Sequence, residues 1–545
     1  LAGVIVALVV AGCAQVPTSG PIVEVDQPVT DTGTVSFVRV LARPPQPGMS
    51  PAEIVQGFLD AASGFEDGHA VAKQYLTDTA ARQWNPSVGV RVYGNESEVL
   101  TEIDDSTVAM NAIQLGLISD RSQFIQSAPG ATLNVTFALE EIAGEFRISR
   151  APQGLLLSRA AVERSYREFE TYYVARPGGI LAPNPVLFQS SQSDVSTDLV
   201  RALVAGPSRW LAPAVINGFP VGTKLLSVTV TDTVALVDFT SEILTADPVA
   251  RQQLSAQLVW TLRQIAAISG VIITAEGQPF DVPGTQSLQP RSAWADYDPD
   301  GLNAQTRYYL VRQGRILSAD STGVVLPTAG AAGAGVPRVA WPLISLDQTA
   351  IAATDGLGQV LTTQVESDSR WRDGPAASTR NGSWDRTGLL WLSVDGEVRV
   401  VNVLGSRPVA VPLADVTSVQ VSRDGSRAVV IASGRPYLMR VDRSTDTPQL
   451  EGPRLLTDVI VRSAAWAGAT TVSLLTRAAD SPAQVATVEL GLFTVRYLGG
   501  PPRARTVAAA PDKPLLSGTA DGQIWAFNGS TWIPALPGRM PRYPG

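Results

Sequence analysis

Across 545 residues the chain has a single histidine, His69, and a single cysteine, Cys13. One histidine excludes zinc sites built on two or three imidazoles and leaves a serine triad only one candidate base. One cysteine excludes intrachain disulfides, cysteine-rich zinc sites and iron–sulfur clusters. Lysine is nearly missing too: Lys73, Lys224 and Lys513 are the only lysines among 42 cationic residues. Fifty acidic residues bring the formal net charge to -8. No global basic field is left for gripping phosphates, which argues against nucleic acid as a partner. What remains is a chain long enough for three or four domains, each able to bury a core.

Residues 1–12 open on the uncharged apolar run Leu1 to Val10, followed by Ala11-Gly12-Cys13. The run is too short to cross a bilayer and reads as the apolar region of a secretion signal, truncated at its start because no charged leader precedes it. Val10-Ala11-Gly12-Cys13 resembles the bacterial lipobox. That resemblance implies that the Cys13 thiol receives a diacylglycerol and its freed amine a further acyl chain. Two or more chains hold a protein stably at a membrane. Residues 13–48, with Pro17, Gly20, Pro21 and Pro28 and then Arg43-Pro44-Pro45-Gln46-Pro47-Gly48, read as an extended lipidated spacer.

Ser50-Pro51-Ala52-Glu53 is a capping box with proline at the first helical position, and Ile54, Val55, Phe58, Leu59 and Ala62 continue it as one apolar stripe. The spacing of Ala72, Tyr75, Leu76 and Ala80 predicts a second helix over 69–84. From Ser87 to Arg150 the apolar period drops to two, as in Leu133-Val135-Phe137. Helices followed by a meander of strands predict an α+β layer over 49–152. The string FLDAASGFEDGHAVAKQYLTDTAARQW resembles the opening of an NTF2-like or cystatin-like domain. His69, beside Asp67, reads as a helix-start or surface residue.

Over 153–292 the pattern is αββαβ. Ser196 is expected to cap a helix carrying Leu199, Val200, Leu203 and Val204. Strands Lys224 to Val230 and Val234 to Phe239 are joined through Thr231-Asp232-Thr233. Asp247-Pro248 opens a longer helix with Leu254, Leu258, Leu262, Ile265 and Ile268 in its stripe, ended by Gly270 before a strand to Ala275. The blocks LVRALVAGPS, KLLSVTVTDTVALVDF and LSAQLVWTLRQIAAISGVIITAEG resemble, in order, the GerMN domain of sporulation and germination lipoproteins. That family brings no established catalytic residues. Asp238 and Glu276 read as solvated strand ends.

Beyond Asp300 the sequence repeats. Turn-then-strand segments recur with markers at Asp347, Asp385, Asp424, Ala467 and Asp512, spaced 38, 39, 43 and 45 residues apart. A period near ~40 residues of all-β units predicts a β-propeller over 300–545 with five or six blades. Asp-Gly pairs at Asp355, Asp395, Asp424 and Asp521 predict hairpin turns with positive φ. RYYLVRQGRILSAD supplies part of a further blade, and the glycine–alanine run from Ala329 to Gly335 reads as a mobile loop.

Two features could carry chemistry. Asp296, Asp298 and Asp300 have the D-x-D-x-D-G spacing of a calcium loop, yet Arg307 stands where the bidentate glutamate belongs and Pro299 stiffens the turn, so an acidic turn at a domain junction is expected. Trp371, Trp384, Trp391, Trp525 and Trp532 read as blade core, with stacking on sugars or on a partner as the alternative. Neither a catalytic set nor a cofactor or metal site is expected. The fallback is a cell-wall polysaccharide-binding scaffold, or a glycoside hydrolase working with carboxylates alone in the propeller.

Lipobox, spacer, NTF2-like segment, GerMN unit and propeller, in that order, resemble the actinobacterial LpqB lipoprotein family over essentially the full chain. The resemblance implies a lipid-anchored protein on the extracytoplasmic face of the cell membrane, acting on the sensor kinase MtrB of the MtrA–MtrB two-component system.

Overall fold

The computed structural model describes residues 42–64, 68–95, 97–176, 178–190, 194–379, 381–402, 405–477 and 482–545. The apolar run, Cys13, most of the spacer and Asp67 lie outside the described residues.

The capping box forms as its sequence requires. Glu53 N donates to Ser50 Oγ (3.3 Å) and Ser50 N to Glu53 Oε2 (2.8 Å), starting the helix Pro51–Ala62. Its buried face meets Trp84 and Phe137 through Phe58, with ring centroids 5.2 and 6.2 Å apart. Gly57 lets this helix approach Tyr75 so closely that a Cβ would strike the ring. The helix expected over 69–84 is broken in two, Ala70–Lys73 and Asp78–Gln83. Between them the chain pairs with a strand: Ile148 N donates to Tyr75 O and Thr77 N to Ile148 O, both at 2.9 Å. Thr77 then caps the second piece. Sheet hydrogen bonding has overridden helical spacing there. The seven-stranded sheet beneath runs in the order 145–150, 132–142, 107–118, 90–93, 155–158, with 99–104 and 124–126 also on the central strand. Ala143 and Gly144, both at positive φ, make the turn between the strands 132–142 and 145–150.

A hairpin that the spacing did not reveal follows, Tyr166–Ala175 against Leu181–Gln189. The helix Val195–Val204 is capped by Asp194, which accepts from Thr197 N at 3.1 Å; Ser196 only donates to that carboxylate. Leu225–Thr231 and Val234–Phe239 are antiparallel, and Gly270–Ala275 lies parallel to the latter. Asp247 caps the helix Pro248–Leu262, which stops short of Ile265 and Ile268. Leu254 through Leu262 are buried without interruption. The hairpin explains why residues 254–262 have no wet face: the sheet covers one side and the hairpin another. Its polar residues are satisfied, since Gln257 accepts from Gly218 N (2.6 Å) and donates to Tyr172 O (3.0 Å), and Thr261 accepts from Tyr172 N (3.2 Å).

Among the described residues the rest forms six four-stranded antiparallel sheets, the blades of a propeller. Blade one is closed by a late strand, Arg539–Arg542, on Tyr308–Arg312. Blades two to six start at Ala340, Gly382, Val416, Val461 and Ala504. All five repeat markers fall in the turn between the first and second strands of their blades, so they share one face. Asp385, for example, accepts from Thr387 N (2.8 Å) and Leu389 N (3.0 Å). Of the four Asp-Gly pairs only Asp395-Gly396 has positive φ at both residues; in the other three the aspartate is not left-handed. Residues 331–334 form a helical turn, not a loose loop, because Ala332 is buried against Tyr309, Val339 and Ile344.

Candidate functional site

The propeller axis is where such a fold would hold a ligand, and an arginine fills it. Arg423 donates from Nη1 to Trp466 O (3.1 Å), from Nη2 to Ala509 O (3.2 Å) and from Nε to Pro544 O (3.3 Å). One side chain of blade four thus ties blades five and six and the closing segment. Arg542, beside it, donates to Gln420 Oε1 at 3.2 Å. Burial lowers both guanidinium groups to about 10. The cavity left among Arg423, Arg542, Trp466 and Tyr543 is about 20 Å³, room for a water, and no carboxylate side chain lines it.

The junction aspartates do not converge. Asp296 is exposed on the short 3₁₀ turn Ala295–Tyr297, and Asp298 Oδ1 accepts from Asp300 N at 2.9 Å. Asp300 sits over the axis, where burial pushes its carboxyl up to about 7 while Arg423 pulls the other way. Among the described residues no cluster of three His, Cys, Asp or Glu side chains could hold a metal. His69 is a helix-start residue, as expected, but buried and edge-on to Trp84 at 5.8 Å, and desolvation lowers its pKa. Asp238 accepts from Thr274 Oγ1 (2.6 Å) and Gly277 N (2.8 Å), and Glu276 from Ser241 N (3.2 Å): both buttress turns. Trp391 is fully buried, its indole donating to Asp385 Oδ2 (2.8 Å). Trp384 and Trp532 each reach a carbonyl of the preceding blade, Leu343 and Leu498, at 3.0 Å. Trp371 packs on the blade one–two core and Trp525 is half-buried.

Sequence reasoning missed the seam between the N-terminal half and the propeller. Trp210 is its anchor. The indole donates to Gly452 O (2.6 Å), Arg440 donates to Trp210 O (2.8 Å), and Arg454 stacks over the ring at 4.6 Å. Gln126 donates to Leu455 O (2.7 Å) and Arg159 to Leu492 O (3.2 Å). One apolar cluster runs from Phe58 and Phe137 through Leu187 to Leu438, Leu490 and Phe493. At the heart of the seam are three glutamates. Glu170 accepts from Thr470 Oγ1 (3.3 Å) and Glu489 from Thr471 Oγ1 (2.7 Å). Glu168 lies against Gly491, where a Cβ would overlap its carboxylate. Burial, then Glu170 and Glu489, push Glu168 up to about 8. Only long-range pairing builds this site, and the polar residues on the 166–175 strand were its single trace in the sequence.

Residues 44–163 match the family described as the LpqB lipoprotein N-terminal domain, 171–281 that described as sporulation and spore germination (Germane), and 314–544 the LpqB β-propeller domain. Lipoprotein LpqB of Thermobifida fusca is 30% identical over 99% of this chain and 97% of its own length. This chain belongs to the LpqB lipoprotein family. The LpqB of Mycobacterium bovis is 27% identical over 80% of this chain and 78% of its own. Among solved structures, TolB of Acinetobacter baumannii covers 51% of this chain and 84% of itself at 15% identity, with a TM-score of 0.35. The LpqB relatives carry the name of a lipoprotein and not of an enzyme. Among the described residues no helix is long and apolar enough to cross a membrane.

Proposed function

We propose that this LpqB-family chain is a lipid-anchored lipoprotein of the extracytoplasmic face, whose folded body binds the ectodomain of the sensor kinase MtrB. Through the MtrA–MtrB system it affects cell-wall homeostasis and division. Family membership along nearly the whole chain is the observation that carries the reading. Cys13 bears the lipid. The protein works by binding and not by catalysis: Asp385 and Asp424 are committed to turns and ion pairs, and the axis has room only for water. The N-terminal and GerMN layers supply the contact surface. In the GerMN sheet Leu226 and Leu236 are 52% and 41% exposed.

A binder shifts a kinase only as far as it prefers one of its states. Tethering both proteins to one membrane raises their effective concentration. The purified body is expected to bind the MtrB ectodomain, and its deletion to change MtrA phosphorylation; no binding together with unchanged phosphorylation would end the proposal. Cys13→Ser is expected to release the protein from membranes, and tight retention of that variant would refute the anchor.

A further inference from the structure

The segment that leaves the GerMN sheet for the propeller folds around a cavity of about 450 Å³, open to solvent and unconnected with the axis or the seam. Its volume lies in the roughly 300–1,000 Å³ range in which small ligands are held. Two aromatic walls meet there at a right angle, Trp294 and Tyr297, with ring centroids 5.5 Å apart. Trp294 is locked. Its indole donates to Gln289 Oε1 (2.8 Å) with Ser255 Oγ at 3.2 Å, and its carbonyl accepts from Trp260 Nε1 (2.9 Å). Its backbone holds φ at +62°, a left-handed conformation uncommon for a bulky residue. The rest of the rim is anchored too, because Gln289 and Pro290 pair with the strand 270–275. Gln286 and Asp296 line the same cavity. Both are exposed, and among the described residues neither makes a hydrogen bond or ion pair.

We propose that this cavity is a carbohydrate subsite for a neutral pyranose of a glycan chain. A fixed aromatic wall offers the flat apolar surface on which the C–H face of a sugar ring packs. A carboxylate accepts hydrogen bonds from ring hydroxyls, and an amide both accepts and donates, so Asp296 and Gln286 together match a hydroxyl-rich edge. A purely apolar guest would leave Asp296 stripped of water without a partner, which disfavours it. The pre-formed walls reduce the ordering cost of binding. The site is independent of the kinase reading, since neither its geometry nor its test involves that partner.

Chitotetraose and cellotetraose are the probes. Titrated into the full chain up to about 10 mM, at least one is expected to perturb tryptophan emission and to saturate. Asp296→Ala is expected to weaken that binding about tenfold and Gln286→Ala about threefold, as lost hydrogen bonds to a polar ligand do. Both residues are surface groups without partners, so circular dichroism of the variants should match the parent. Trp294→Ala should abolish binding, but it also removes the hydrogen bonds that hold the loop and is therefore not decisive alone. Failure of both tetrasaccharides to bind the parent, or binding unaffected by both Asp296→Ala and Gln286→Ala, would overturn the proposal.

Discussion

The axis and the seam both bury charge, and they do so in opposite ways. At the axis the Asp300 carboxyl lies over buried cations, and Arg423 spreads one charge over three backbone carbonyls on three separate elements. A guanidinium stays ionised under any ordinary condition, so this lock does not titrate. At the heart of the seam three glutamates pack near one another with hydroxyl donors, and among the described residues none of the three is in an ion pair. Burial raises all three carboxyls, Glu168 to about 8. The Arg423 lock thus keeps its charge and pH reaches the axis through the Asp300 carboxyl, raised to about 7, whereas at the seam pH acts on the buried Glu168.

Three variants can break or sharpen that contrast. Arg423→Met keeps the apolar stem and strips three buried carbonyls of their donor, and should cost about 3–5 kcal/mol in denaturant unfolding. A cost under ~1 kcal/mol would show that the axis is not the keystone. Glu168→Gln should act through pH. In the folded protein this carboxyl is raised to about 8 from an ordinary 4.5, so between those values the native state binds the extra proton and stability falls as pH rises. The variant should therefore match the parent near pH 4.5 and exceed it above pH 8 by up to about 5 kcal/mol. Equal pH profiles would refute the seam account. Gly491→Ala should cost about 1–2 kcal/mol because the added methyl meets the Glu168 carboxyl. In a Glu168→Ala background that cost should vanish, and an additive double variant would place the strain elsewhere.

What the sequence revealed follows from range. The capping box at Ser50 and the proline start at Pro248 are contacts within four residues, and both form as their spacing requires. The repeat markers were visible because each blade repeats one local turn. Helical spacing over 69–84 misled because Ile148, more than sixty residues away, captures the backbone at Tyr75 and Thr77. The seam was invisible for the same reason on a larger scale: Glu170 meets Thr470 across 300 residues, and no local pattern encodes that meeting. Arg423 looked like any arginine in a turn; nothing in its neighbours says that it points down an axis. The junction aspartates were expected to form an acidic turn, and within it burial sends Asp300 to the axis and leaves Asp296 at the cavity beside Tyr297.

Blade one has a further meaning for a chain that is threaded out from its N-terminal side. Its strand Tyr308–Arg312 is among the first of the propeller to emerge, yet its inner neighbour, Arg539–Arg542, comes after the other five blades. Arg312 also donates to Pro537 O, 225 residues on. Until that stretch arrives blade one has three strands, and the inner edge of Tyr308–Arg312 is bare. Bare edges recruit strands from other molecules. A copy cut short before Arg539 would keep every blade but one whole and leave the Tyr308–Arg312 edge open to pairing with a strand of another molecule.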